Sequence, residues 1–226
     1  MIKVLYEDNH LIAVQKRSSD LSQGDKTGDE SLDSEVKKYI AEKYKKPGDV
    51  FLGVVHRLDR PVSGVILYAR TSKALQRMNE MFRDGKVKKV YLAIVRERPP
   101  EDTQTISHYL KKNEVQNKSY VYDKEVKGSK KASLTYKIVS RSEKYYLLEV
   151  ELHSGRHHQI RAQLSAIGCP IKGDLKYGFA RSNEDGGISL MARRLVFEHP
   201  VKKEQVEIIS PFPPGDIWNH FDTATI

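Results

Sequence analysis

Two polar segments carry residue types that a fold alone does not require. The first is His56-Arg57-Leu58-Asp59-Arg60-Pro61-Val62-Ser63-Gly64, between the apolar runs 51–55 and 65–68. Asp59 has an arginine on each side. A carboxylate with a cation beside it stays ionised, and an ionised, positioned carboxylate serves as a nucleophile or a base. The plainer reading is a turn whose Asp caps the backbone. Ser63 with His56 and Asp59 would suggest hydrolysis, but no Gly-x-Ser-x-Gly elbow surrounds Ser63.

The second segment is Leu152-His153-Ser154-Gly155-Arg156-His157-His158-Gln159-Ile160-Arg161. Gly155 makes a turn, and the pattern predicts a helix over 157–167. Arg156 to His158 then lie near a helix N-terminus, where backbone N–H groups attract phosphate. His157 and Arg161, four apart, would share one helical face. A metal reading needs His153, His157 and His158 together. Gly155 interrupts any helix joining His153 to His157, and no carboxylate or cysteine sits at ligand spacing. No Gly-rich phosphate loop of either nucleotide-binding type is present, so neither a metal nor a nucleotide cofactor is expected.

Charge narrows the partners. The 226 residues carry a formal net charge of +9 and a pI near 9.4, a footprint suited to RNA, DNA or anionic membranes. From Lys124 to Lys144, six lysines and one arginine face two acids, Glu125 and Glu143, a local excess of five. Lys127, Lys130 and Lys131 in this stretch are the leading phosphate-binding residues. Arg83, Lys86, Lys88 and Lys89 form a second cluster, and Lys37, Lys38, Lys43, Lys45 and Lys46 a third. No apolar run approaches a membrane span of about 18 residues, and Met1-Ile2-Lys3-Val4-Leu5-Tyr6-Glu7-Asp8 has acids where a signal peptide would be apolar. The single cysteine, Cys169, excludes an internal disulfide and suggests the reducing cytoplasm.

The elements that must position these residues follow from periodicity. Runs 2–6 and 11–14 read as a hairpin, and 31–45 as a helix with Ser31 as its cap. Runs 51–55 and 65–68 read as strands, 72–84 as a second helix ended by Gly85, and 87–95 as a strand. Alternation over 134–138 and 146–152 gives another hairpin, and 188–197 and 205–209 late strands. Hairpin-linked strands with a few packed helices make the expected class α+β, a largely antiparallel mixed sheet, in one domain over 1–226.

The two segments resemble signatures of RNA pseudouridine synthases of the RluA type. His56-Arg57-Leu58-Asp59-x-x-Ser63-Gly64 resembles the motif with the essential aspartate. Val90-Tyr91-Leu92-Ala93-Ile94-Val95 resembles the strand with the active-site tyrosine, and Ser154-Gly155-Arg156-x-His158-Gln159-Ile160-Arg161 the Gly-Arg-x-His-Gln-Ile-Arg segment. Pro170-Ile171-x-Gly173-Asp174-x-x-Tyr177-Gly178 and Ala192-x-x-Leu195-x-Phe197-x-His199-Pro200 complete the series in order. Three positions depart from the pattern. Lys16-Arg17-Ser18-Ser19 replaces Lys-Pro-x-Gly, Val62 replaces a threonine before Ser63, and His157 replaces a threonine before His158.

The resemblance implies isomerisation of uridine to pseudouridine in rRNA or tRNA, by a monomeric, cofactor-free enzyme that flips the target base. It implies Asp59 as the essential carboxylate, Arg161 as its ion-pair partner and Tyr91 stacked on the uracil. Arg57 would fill the gap left by the flipped base, Ile160 would line the pocket, and Arg156 would join the lysines in holding RNA. The chain begins at the first catalytic-domain strand, so a stand-alone domain without the small S4 module is expected. An RNA-binding protein that has lost catalysis and a metal-dependent nuclease are the competing readings. The retained Asp59, Tyr91 and Arg161 count against the first, and the arginines around Asp59 against the second.

Overall fold

The computed structural model describes residues 2–24, 28–213 and 216–221. In chain order the elements are β1 (Lys3–Glu7), β2 (Leu11–Lys16), α1 (Leu32–Lys43), β3 (Gly53–Val54), β4 (Ser63–Ala69), α2 (Ser72–Arg83), β5 (Lys88–Val95), β6 (Thr103–Asn113), β7 (Lys118–Tyr122), β8 (Lys130–Arg141), β9 (Tyr146–Leu152), α3 (Gln159–Ala166), a 3₁₀ turn (Leu175–Tyr177), β10 (Leu190–Glu198), β11 (Gln205–Ile209) and α4 (Asp216–Asn219). The class is α+β, as expected. The backbone groups into two compact units, Met1–Lys88 with Ala192–Phe212, and Lys89–Met191 with Pro213–Ile226.

In the first unit, β1 pairs with β2, β2 and β3 with β4, and β10 with β11, all antiparallel. β4 is buried at every position, and β2 at five of its six. Such strands read as continuous apolar runs rather than alternations. α1 is tied down through Glu7, whose carboxylate accepts from Tyr39 Oη at 2.9 Å, Lys43 Nζ at 2.6 Å and Tyr44 Oη at 2.8 Å. Burial opposes ionisation of Glu7, but these donors hold its pKa below the usual carboxylate range. α2 is capped by Thr71, whose side chain accepts the Ala74 N–H at 3.2 Å. Ser31 sits at the predicted N-cap of α1 without capping it. Its hydroxyl binds Asp33 and Ser34 instead.

The second unit orders its strands β5-β9-β8-β6-β7, each neighbouring pair antiparallel. α3 packs on β6 and β7, where Leu110, Ala132, Ala162 and Tyr177 form a small core with Val121 against it. β6 and β7 have no counterpart in the periodicity reading. Their inward positions alternate with Thr, Ser, Lys and Tyr on the other face, so apolar content is low. The predicted strand 51–55 contracts to Gly53–Val54. α3 begins at Gln159 rather than His157, because His158 takes a left-handed conformation at φ 52°. His157 therefore precedes the helix, and the helical face predicted for it and Arg161 does not exist.

Candidate active site

Asp59 lies in the loop joining β3 to β4, and the first unit anchors that loop from several sides. Lys16, fully buried at the end of β2, donates from Nζ to the carbonyls of Arg17 at 3.0 Å, Arg60 at 2.8 Å and Val62 at 2.7 Å. Burial lowers the Lys16 pKa to about 8, against the pull of Asp20 and Asp59. Ser22 grips Leu58 twice, its hydroxyl donating to the Leu58 carbonyl at 2.8 Å and accepting the Leu58 N–H at 3.1 Å. The Val62 N–H donates to the Asp59 carbonyl at 3.0 Å, closing a tight turn. The Asp59 backbone thus has no slack, while its side chain is half-buried.

Gly64 is the hinge at which β4 starts. Its φ is +114°, and a Cβ there would lie 2.2 Å from the Ala192 carbonyl oxygen. Only glycine meets both demands. The Lys16-to-Ser19 turn keeps a left-handed residue at its end despite the changed sequence. Ser19 has φ 75°, donates its N–H to the Arg60 carbonyl at 2.9 Å, and accepts from Arg60 Nε at 3.2 Å.

The histidine of the hydrolytic reading is engaged by the scaffold. His56 Nε2 accepts the Leu67 N–H at 3.0 Å, and its ring stacks on Phe82 at 4.9 Å. His56 therefore serves the fold. Arg57 is exposed and, with Asp33, Lys37 and His56, lines an open cleft of about 500 Å³.

In the second unit Tyr91 sits half-buried on β5, opposite Val150 of β9. The turn after β9 is organised by Gln159. Its Oε1 accepts from the Arg156 N–H at 3.0 Å and Ser154 Oγ at 2.7 Å, and its Nε2 donates to the Ser133 carbonyl at 3.0 Å. Arg161 is buried within α3. Its Nε and Nη2 donate to Asp174 Oδ2 and Oδ1 at 2.7 and 2.9 Å, a two-pronged pair with side chains 6% and 1% exposed. The Tyr177 ring lies 5.1 Å from the guanidinium. Tyr177 Oη accepts the Ser119 N–H at 2.8 Å and meets His158 Nδ1 at 3.0 Å. Burial, reinforced by Arg161 and His157, keeps the His158 pKa far below the usual range, so it is neutral at physiological pH.

The three histidines of the metal reading point to separate partners. His153 Nε2 meets Thr135 Oγ1 at 2.7 Å, His157 Nδ1 meets Ser119 Oγ at 2.9 Å, and His158 meets Tyr177. Ile160 is buried in α3, while Arg156, Lys127, Lys130 and Lys131 are all exposed. Lys127 belongs to the turn before β8. Lys130 and Lys131 open β8 as consecutive residues, so their side chains take opposite faces. The three lysines therefore do not form a single patch. Asp174 is the partner that sequence reasoning missed. It was visible in Gly173-Asp174-x-x-Tyr177-Gly178 as a carboxylate beside an aromatic, but nothing in the spacing joined it to Arg161.

The family model for RNA pseudouridylate synthase matches residues 10–166, more than half of the chain and the segment that contains Asp59, Tyr91 and Arg161. The chain belongs to this family. Among curated pseudouridine synthases, it is 31% identical over 216 residues to "Ribosomal large subunit pseudouridine synthase C" of Vibrio parahaemolyticus, covering 92% of this chain and 65% of that one. It is 31% identical over 229 residues to the protein of the same name from Buchnera aphidicola, covering 98% and 70%. The chain thus spans about two thirds of the length of these synthases. The solved structure of human RNA Pseudouridylate Synthase Domain Containing 4 superposes with a TM-score of 0.78 at 20% identity, covering 93% of this chain and 88% of that one. The synthase match ends before Asp174, so the carboxylate that grips Arg161 comes from outside the matched segment.

Proposed function

We propose that this chain is a cofactor-independent RNA pseudouridine synthase, a single catalytic domain acting as a cytoplasmic monomer on uridines in rRNA or tRNA. One observation carries the reading. The residue matching the family's aspartate stands on a loop whose backbone is held by a buried lysine and a buried serine. A surface Asp that merely capped a turn would need no such frame.

The reaction breaks the N1–C1′ bond of uridine and joins C5 to C1′. The C5 proton is released and N1 gains one, so atoms and charge balance without redox or added water. In this reading Asp59 acts first, on the sugar, on the base or as a base toward a proton. Arg161 supplies the positive charge that the family's motif calls for, stacking by Tyr91 holds the detached uracil, and Ile160 lines its pocket. Arg57 occupies the space left in the RNA when the target base leaves its stack, an event costing a few kcal/mol. Arg156, Lys127, Lys130 and Lys131 hold phosphates with little sequence information.

The test uses RNA carrying tritium at uridine C5, with EDTA present. Tritium release identifies a synthase, and Asp59→Asn should abolish it while RNA binding and the thermal midpoint hold. Turnover by that variant within about tenfold of wild type removes Asp59 from its role. Strand scission that requires added metal identifies a nuclease instead.

A further inference from the structure

The sheet of the second unit has two faces. α3 covers the one carrying Leu110, Val121 and Ala132. Alternation puts Tyr109 and Lys111 of β6, Tyr120 and Tyr122 of β7 and Lys131 of β8 on the other. Tyr109 stands opposite both Tyr122 and Lys131, and Lys111 opposite Tyr120. Tyr120 and Tyr122 are 39% and 38% exposed, and both lysines are exposed. No carboxylate occupies a register position in this group. Glu114, in the hairpin turn, is taken up by Lys112 at 2.5 Å. Arg156 donates from Nε to the Lys131 carbonyl at 3.1 Å, and Lys118 Nζ lies 5.8 Å from the Tyr120 ring centroid, so further cations flank the patch. β7 ends the strand order on this side.

We propose that this face binds an unpaired stretch of RNA, with bases stacked on Tyr109, Tyr120 and Tyr122 and phosphates on Lys111, Lys131 and Arg156. Lysines alone would serve any polyanion. Exposed rings between them offer a π-face to each base, which a duplex with its bases already stacked cannot use. Tyrosine is common in strands for packing reasons, and a Tyr109–Tyr122 pair would steady the hairpin. That role predicts an effect on melting and none on RNA. The inference rests on the synthase reading only in naming the polymer.

The experiment measures Kd for fluorescein-labelled oligouridylate of about 12 nucleotides and for an RNA duplex of similar length. Variants are Tyr120→Thr/Tyr122→Thr, which retains strand propensity, and Tyr120→Phe/Tyr122→Phe. The Thr pair should lose roughly tenfold or more on the single strand and under about twofold on the duplex, and the Phe pair should stay within about twofold on both. Lys111→Gln/Lys131→Gln should flatten the single-strand salt slope by about 1.4. Should the Thr pair melt, Tyr120→Thr alone on the edge strand should still lose about fivefold or more. Single-strand affinity within twofold of wild type in a folded Thr variant, or equal losses on both polymers, overturns the proposal. Tritium release on the same samples separates the two readings. Selective loss of single-strand binding in a chain that releases none leaves this face standing and removes the synthase. Unchanged binding in a chain that does release tritium removes only the face.

Discussion

Two buried cations, Lys16 in the first unit and Arg161 in the second, solve the same electrostatic problem differently. Lys16 gives its Nζ hydrogen bonds to three backbone carbonyls, with only the longer-range pull of Asp20 and Asp59 added to these dipoles. Arg161 lays a planar fork on a carboxylate. The lysine's pKa falls to about 8, because carbonyls do not repay the loss of water around a point charge. The arginine stays charged, and the two-pronged geometry fixes its orientation along with its charge. The lysine therefore shapes a backbone loop, whereas the arginine presents a permanent, oriented charge.

The comparison can be broken most sharply at Asp174. Asp174→Ala leaves the Arg161 guanidinium buried without this carboxylate and should cost about 3–5 kcal/mol. Urea unfolding should give the same loss at pH 8 and pH 10, since arginine does not titrate there. A loss below about 1 kcal/mol would show that the pair contributes no more than a surface bridge.

Lys16→Met should cost about 2 kcal/mol at neutral pH, as the carbonyls it serves lose their donor. That cost should grow with pH. The folded pKa of Lys16 is depressed, so between about 8 and 10.5 the unfolded chain holds this proton more tightly than the folded one. The group's contribution is lowest below pH 8 and rises through that window, by roughly 3 kcal/mol at most. The gap between wild type and Lys16→Met should widen accordingly between pH 8 and 10. A gap that stays constant would mean that Lys16 titrates like an exposed lysine.

The smallest expected effect is a gain. Ser19 holds a left-handed conformation that costs an L-residue about 1–2 kcal/mol. Ser19→Gly should raise stability by roughly 0.5–1 kcal/mol net of glycine's greater unfolded entropy, seen as a higher urea midpoint with unchanged slope. A loss would mean that the Ser19 side chain makes contacts outweighing the strain.

Much of the scaffold was legible in the residues. The β1–β2 hairpin, β4, α2, β9 and β11 lie within about two residues of their predicted limits, because each is either a continuous apolar run, as in β2 and β4, or buries one periodic apolar face. β6 and β7 were not. Their outward positions are Thr, Ser, Tyr and Lys, and strand pairing supplies what an apolar alternation would otherwise signal. The left-handed His158 was equally hidden, since a non-glycine residue at φ 52° announces nothing in sequence.

Asp59, Tyr91 and Arg161, the residues proposed to carry the chemistry, were named from motifs that resemble those of the synthase family, because motifs record which groups a reaction needs. The partners that hold them were decided only in three dimensions. Lys16 lies more than forty residues from the carbonyls of Arg60 and Val62 that it grips, and Asp174 thirteen from Arg161. A hydrogen bond is set by a distance of about 3 Å and an angle, and sequence spacing across a turn or a sheet encodes neither.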